Sequence, residues 1–352
     1  MKRKIVGIGL SVSAALMLLA GCGTASSSGN STSSQSNSSS SSPAAANSSG
    51  SSSSSPSSSG GSKVIGVSLM TLTNPYFATM ARALKQYGQQ LGYTVVVDGA
   101  NNSQSQQLQQ VDAFIEQKVA AVILAPPDAS AAVSAVTALN KANIPVFTID
   151  SNVDTTALKQ AGGKIIEYVS SNNYQAGVIV GQEIAQYLHG KGNVGIVDFK
   201  TAESVQLRDK GFYSVISKYP GIKIVSDLDG QGSTPGGLQA ASEMLSAHPN
   251  INVIYDINAP SGLGAVQAIK AANKVGKVVV IGLSGNQAAV QAIEDNSVFK
   301  FGAMQEPGLE SQVEMQNISK YLHGQQVPAQ VQTKIIPINK QDAAQYANIA
   351  YH

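Results

Sequence analysis

From Lys63 onward the sequence predicts an α/β fold, with parallel sheets covered by helices and arranged in two halves. Three observations carry that reading. Short, strongly apolar runs recur along the whole stretch, and each is followed by a segment with helical spacing. Removing the first 62 of 352 residues leaves 290, the size of two ordinary domains.

The first run is VIGVSLM (64–70). After Pro75, the residues Phe77, Met80, Leu84, Tyr87 and Leu91 fall at steps of three and four, an amphipathic helix with proline in its first turn. YTVVVDG (93–99) precedes a helix bearing Leu108, Val111 and Phe114. AAVILAP (120–126) precedes ASAAVSAVTALNKA (129–142), and IPVFTID (144–150) follows. A second series begins near Asn172. Its strands are NVGIVDF (193–199), IKIVSDL (222–228), NVIYDI (252–257), KVVVIGL (277–283) and FKFGAMQ (299–305), each followed by a helical stretch.

Ahead of this body stands a different kind of sequence. Lys2, Arg3 and Lys4 precede a short uncharged apolar run, the pattern of a secretory signal spanning residues 1–21. The run closes on LAGC (19–22), which resembles the lipobox of bacterial lipoproteins and implies cleavage before Cys22 and acylation of that residue. Cys22 is the only cysteine in the chain, so no internal disulfide exists. Residues 24–62 carry no charge and no Leu, Ile, Val, Phe or Tyr, and 23 of the 39 are serine. Such a segment buries too little apolar area to offset its ordering entropy. With Cys22 it is expected to form a tether (22–62) with a reach on the order of 35 Å.

Charge narrows the partners. Without the three basic residues of the signal, 23 − 3 leaves 20 basic against 21 acidic residues, a net charge near −1. No basic patch stands out, so no nucleic acid partner is expected.

Ligands of open parallel sheets collect at the carboxyl ends of the strands. The first strand leads into TLTNPYF (71–77), with adjacent aromatics in a chain that has only 7 Phe and no Trp. Later strand ends supply Asp150 and Ser151, the segment TAESVQLRDKGF (201–212), Asn258, LSGN (283–286) and Gln305. Carboxylate and carboxamide groups suit adjacent hydroxyls, and an aromatic face suits the C–H face of a sugar ring. Tyr76 and Phe77 are expected to wall such a cleft; for Phe77, packing of the helix onto the sheet is an equal reading.

The stretches MTLTNPYF (70–77), NIPVFTID (143–150) and SAHPNINVIYDINAPSGLGAVQAI (246–269) resemble the periplasmic binding proteins of sugar ABC transporters, in particular the ribose-binding type. The likeness runs from about Lys63 to Lys340. It implies two Rossmann-like lobes joined by three hinge crossovers near residues 171, 305 and 334. The lobes are then residues 63–171 with 306–334, and residues 172–305 with 335–352. By position, the resemblance implies ligand contacts from Asn74, Tyr76, Phe77, Asp150, Asn258 and Gln305.

Elsewhere the chain departs from the family pattern. Ser151 and Gln206 stand where the family has arginines, Gly232 where it has a phenylalanine, and Leu283-Ser284 where it has Phe-Asp. Ser151, Gln206, Arg208 and Ser284 complete the expected contact set, with Arg208 open to two readings, ligand contact or support of a carboxylate. The lost partners disfavour D-ribose, because each buried polar position matches a particular hydroxyl. A serine within GLSGN also occurs in the branch that binds rhamnose-like sugars and autoinducer-2. A neutral sugar or polyol is the expected ligand.

Competing readings are weaker. SGLGAV (261–266) and GQGSTPGG (230–237) lack dinucleotide or P-loop spacing. The four histidines show no ligand spacing, so neither metal nor cofactor is expected. No nucleophile–base constellation marks an enzyme, and a sugar-responsive repressor begins with a helix-turn-helix rather than a lipobox. The expected protein is a monomer anchored by lipid to the outer face of the cell membrane. It captures its ligand by hinge closure and delivers it to an ABC permease with its ATPase; a receptor feeding a membrane sensor is the alternative.

Overall fold

The computed structural model describes residues 62–352. Cys22, the export signal and the serine-rich segment up to residue 61 lie outside the described residues.

The chain forms β1 (Val64–Leu69), α1 (Pro75–Gln90), β2 (Thr94–Gly99), α2 (Gln104–Glu116), β3 (Ala121–Leu124), α3 (Val133–Lys141), β4 (Val146–Ile149), α4 (Thr155–Gln160) and β5 (Glu167–Ser171). It continues with α5 (Asn173–Tyr187), β6 (Lys191–Asp198), α6 (Glu203–Ile216), β7 (Gly221–Asp229), α7 (Thr234–Ala247), β8 (Val253–Asp256), α8 (Ala259–Ala271), β9 (Val279–Leu283), α9 (Gln287–Asp295) and β10 (Phe299–Met304). The last elements are α10 (Pro307–Leu322), β11 (Gln330–Thr333), β12 (Ile336–Asn339) and α11 (Ala343–Tyr346).

Two six-stranded sheets result. The first runs β11-β5-β4-β3-β1-β2 and the second β12-β10-β9-β8-β6-β7. The pairs are parallel, with Val67 opposite both Val97 and Ile123, except that β12 lies antiparallel to β10. The fold class is therefore α/β as the apolar runs predict, with one antiparallel edge that they do not show. Strands β1, β3, β4 and β8 are buried almost throughout, which is why they read as apolar runs without alternation.

Local chemistry places the helix starts. Asn74 accepts a hydrogen bond from the Tyr76 amide at 3.0 Å and Pro75 takes the first turn, so α1 begins directly beneath the end of β1. Phe77, Met80 and Leu84 are buried along its inner face. Leu91 does not extend that stripe. The helix stops at Gln90, where Gly92 takes a φ of 83° and Tyr93 donates to the Gly88 carbonyl; Leu91 is left 39% exposed.

Strand β5 escapes the apolar reading because its buried side chains are partly polar. Glu167 accepts from Asn317 on α10 at 2.8 Å, and Ser171 donates to Glu310 on the same helix. The helix α10 in turn packs on α1, β4 and β5. The chain thus leaves the first sheet after β5, returns to it after β10, and leaves again between β11 and β12.

Candidate binding cleft between the two sheets

The strand ends of both sheets face one another across a small, tightly closed cavity of about 40 Å³. The β1–α1 junction contributes Asn74, Tyr76 and Phe77, and the end of β4 contributes Asp150. From the other side come Phe199 after β6, Arg208 on α6, Asn258 after β8 and Gln305 after β10.

Asp150 is held in an uncommon backbone conformation, with φ of 64°. Three contacts fix it there. Its amide donates to the Val169 carbonyl at 2.9 Å, and its carbonyl accepts from the Tyr168 hydroxyl at 3.0 Å and from Asn173 Nδ2 at 3.4 Å. Strain of this kind persists where the surroundings over-determine it, often at ligand sites. The side chain is buried, and Oδ1 has no hydrogen-bond partner among the described residues. Burial raises its pKa, opposed by the positive charge of Arg208, whose Nη2 lies 3.8 Å away.

Arg208 is committed on every side. Nε donates to Asn173 Oδ1 at 2.9 Å, Nη1 to the Ile257 carbonyl at 2.9 Å, and Nη2 to Gln305 Oε1 at 3.2 Å. Two glycines bring it to that position: a Cβ on Gly177 would lie 1.8 Å from the Arg208 carbonyl, and one on Gly211 2.0 Å from that of Tyr174. Only without those atoms can α5 and α6 pack backbone to backbone. By orienting the Gln305 amide, Arg208 leaves Gln305 Nε2 buried and without a well-formed hydrogen bond among the described residues. A carboxylate oxygen and an amide N–H₂, neither with a well-formed hydrogen bond among the described residues, thus line one cavity, where the Gln305 amide helps to lower the Asp150 pKa. The pair is suited to bonding a donor and an acceptor on a polyhydroxylated ligand.

The apolar walls are aromatic. Tyr76 and Phe77 meet edge to face at 5.1 Å, and Tyr76 meets Tyr351 at 5.7 Å. The Tyr76 hydroxyl is occupied elsewhere, donating to Glu310 Oε2 at 2.7 Å. Asn258 is half committed: Oδ1 caps α8 by accepting from the Ser261 amide at 3.0 Å, and Nδ2 donates to the Gly232 carbonyl at 3.0 Å.

Seven of the ten contacts expected from sequence line the cavity, and three lie elsewhere. Gln206 is exposed on the outer side of α6, and its amide donates to the Lys200 carbonyl at 2.8 Å. The Ser284 hydroxyl is buried against Gly302, where an added Cβ would lie 1.9 Å from Ser284 Oγ, so it turns toward β10. Ser151 Oγ accepts from the Ser204 amide at 3.2 Å, a bridge between the two sides rather than part of the cavity wall. Two further bonds lie beside it. Glu203 accepts from the Asn152 amide at 3.3 Å, and its Oε2, 2.9 Å from the Tyr168 hydroxyl, shares that single proton with the Asp150 carbonyl.

Phe199, Ser204 and Tyr351 line the cavity without having been singled out in the sequence. Phe199 follows a strand end as the other contacts do, and that position was the available signal. Tyr351 had none, because only its tertiary contacts bring it there. Among the described residues, no acidic, histidine or cysteine cluster could hold a metal ion, and no helix is long and apolar enough to cross a membrane.

Paired α/β layers closing over a cavity with buried polar groups and aromatic walls define a two-sided binding protein. The periplasmic binding protein domain matches residues 65–326, and the chain belongs to that family. It is a solute-binding protein and not an enzyme. The chain is 29% identical to the ribose import binding protein of Bacillus subtilis over 273 residues, 76% of this chain and 85% of that one. It is 31% identical to the D-ribose/D-allose-binding protein of Pseudomonas aeruginosa over 239 residues, 66% of this chain and 74% of that one. Among solved structures, an ABC transporter periplasmic solute-binding protein from Actinobacillus succinogenes with bound D-allose is similar at a TM-score of 0.74 and 28% identity. That match covers 80% of this chain and 99% of that one.

Proposed function

We propose that this chain captures a neutral sugar or polyol outside the cytoplasm and delivers it to an ABC permease. The observation that carries the reading is the juxtaposition of Asp150 Oδ1 and Gln305 Nε2, both buried and without a well-formed hydrogen bond among the described residues, in a cavity walled by Tyr76, Phe77 and Phe199. A hydroxyl-bearing ring satisfies both polar groups at once and lays its C–H face on an aromatic. Arg208 already has hydrogen-bond partners at all three nitrogens and a carboxylate beside it, which disfavours an anionic ligand. The names of the relatives, import proteins for ribose and a binding protein for ribose and allose, support the same class.

In this reading residues 63–171 with 306–334 form one lobe and residues 172–305 with 335–352 the other, and the three passages between sheets act as the hinge. Ligand bridging both lobes shifts an open–closed equilibrium toward the form that docks on the permease. Asn74, Tyr76, Phe77, Asp150, Phe199, Arg208, Asn258 and Gln305 form the site. Cys22 carries the lipid anchor, and residues 22–62 tether a monomeric binding domain to the outer face of the cell membrane. ATP hydrolysis belongs to the partner, so this chain uses no cofactor.

A thermal-shift screen of the Cys22→Ala chain tests the ligand class. A ligand that binds only the folded state stabilises it by about 2.7 kcal/mol at a hundredfold excess over Kd. The expected result is a clear rise with a neutral pentose, hexose, deoxyhexose or polyol, and a small one with ribose. A rise with an amino acid or sugar phosphate alone would reject the reading.

A further inference from the structure

Residues 343–352 return to the cleft after the last strand. The helix α11 packs on α9 and β12. Beyond it, Tyr351 joins the loop after β9: its amide donates to the Gly285 carbonyl at 3.1 Å, and its carbonyl accepts from the Gln287 amide at 3.0 Å. Gly285 makes room for the ring, since a Cβ there would lie 2.8 Å from Tyr351 Cε1. These contacts seat the phenol against the cavity, 8% exposed and at 77° to the ring of Tyr76. One residue further, the His352 carbonyl accepts from Thr79 Oγ1 at 2.9 Å and from Arg82 Nη2 at 3.0 Å, both on α1. The segment is anchored on the side of the second sheet and reaches the first.

We infer that Tyr351 is a ligand-wall residue and that Tyr351–His352 form a strap holding the closed form. The inference rests on the solute-binding reading above. Tyr76 and Tyr351 stand nearly perpendicular, so their rings form a corner that a C–H-rich edge of the ligand fills. The Tyr76 hydroxyl is already bonded to Glu310, so the corner acts through ring surface rather than through that phenol. Opening the cleft breaks the two bonds from α1 to His352 and separates the two tyrosines. The strap therefore governs ligand release more than ligand encounter.

The experiment uses the full chain with Cys22→Ser and titrates D-allose, D-galactose, L-arabinose, L-rhamnose and myo-inositol. For whichever of these binds, Tyr351→Ala raises Kd at least about tenfold, whereas Tyr351→Phe stays within about twofold. The double variant Thr79→Val, Arg82→Ala raises koff about fivefold and leaves the melting temperature of the ligand-free protein unchanged, since both side chains lie at the surface or partly so. Wild-type Kd and koff in the Tyr351→Ala and double variants overturn the inference, even if Tyr351→Ala melts earlier, because that is a structural effect alone. If none of these sugars binds the parent chain, the sugar reading fails on this panel, and the strap is read without ligand. A Thr79→Cys, His352→Cys pair in the Cys22→Ser chain then cross-links under mild oxidation if the strap spans the cleft, and its failure to cross-link overturns the strap.

Discussion

The Tyr76 hydroxyl donates to Glu310 Oε2 at 2.7 Å across 234 positions of sequence. The other oxygen of Glu310 accepts from Ser171, the last residue of β5, and from Thr333, the last of β11 at 3.4 Å. A wall of the binding cavity is thereby tied through one buried carboxyl to two of the three places where the chain passes between sheets. Burial, and then the negative charge of Asp150, push the Glu310 pKa up to about 8 from its ordinary 4.5.

Stability should consequently fall as pH rises toward 8. The folded state holds a proton on Glu310 between about pH 4.5 and 8 that the unfolded chain has released, and in that form the carboxyl donates to one of its hydroxyl neighbours, which reverses that contact. Its contribution is complete below the lower value and is lost as pH climbs through the upper one. At about 1.4 kcal/mol per unit, the part between pH 5.5 and 8.5 is about 3 kcal/mol. Glu167, raised to about 7 mainly by burial, acts in the same direction. Glu310→Gln removes its own share, so urea unfolding at those two pH values should show a pH dependence about 3 kcal/mol smaller than wild type. An unchanged dependence would mean Glu310 is ionised in the fold.

Asp150 should separate binding from stability, whereas Asn258 should couple them. Asp150→Asn keeps a residue tolerant of positive φ while removing the charge. Calorimetry should show binding weakened by about 2–4 kcal/mol with little loss of unliganded stability. Asn258→Ala behaves differently, because Asn258 caps α8. It should cost about 1 kcal/mol of stability even without ligand, along with affinity. Wild-type affinity in both variants would remove the interlobe site.

Glu203 reaches from α6 to Tyr168 and Asn152 without lining the cavity. Glu203→Ala should therefore weaken binding by about 1–2 kcal/mol, through faster release rather than slower capture. Stopped-flow traces in which only the association rate changes would show that these bonds do not hold the closed form.

Cys22→Ala should leave the precursor unprocessed or release the protein from the membrane, with sugar binding unchanged. Fractionation of cells expressing the variant decides it. A processed variant that still sediments with membranes would reject the lipid anchor.

Sequence alone determined the α/β class, because strands buried on both faces must be apolar throughout, and helices packed on one face must repeat every three to four residues. It also pointed to the strand-end residues Asn74, Tyr76, Phe77, Asp150 and Asn258, since parallel topology brings such ends together whatever the loops do. Strand β5 was illegible because Glu167 and Ser171 are buried against polar partners on α10, a helix about 140 positions away along the chain. The direction of Gln206, the burial of Ser284 against Gly302 and the arrival of Tyr351 in the cleft are tertiary decisions too. Helix rotation, a missing Cβ and a returning segment set which side of a residue meets the cavity, and none of these leaves a local pattern in the chain.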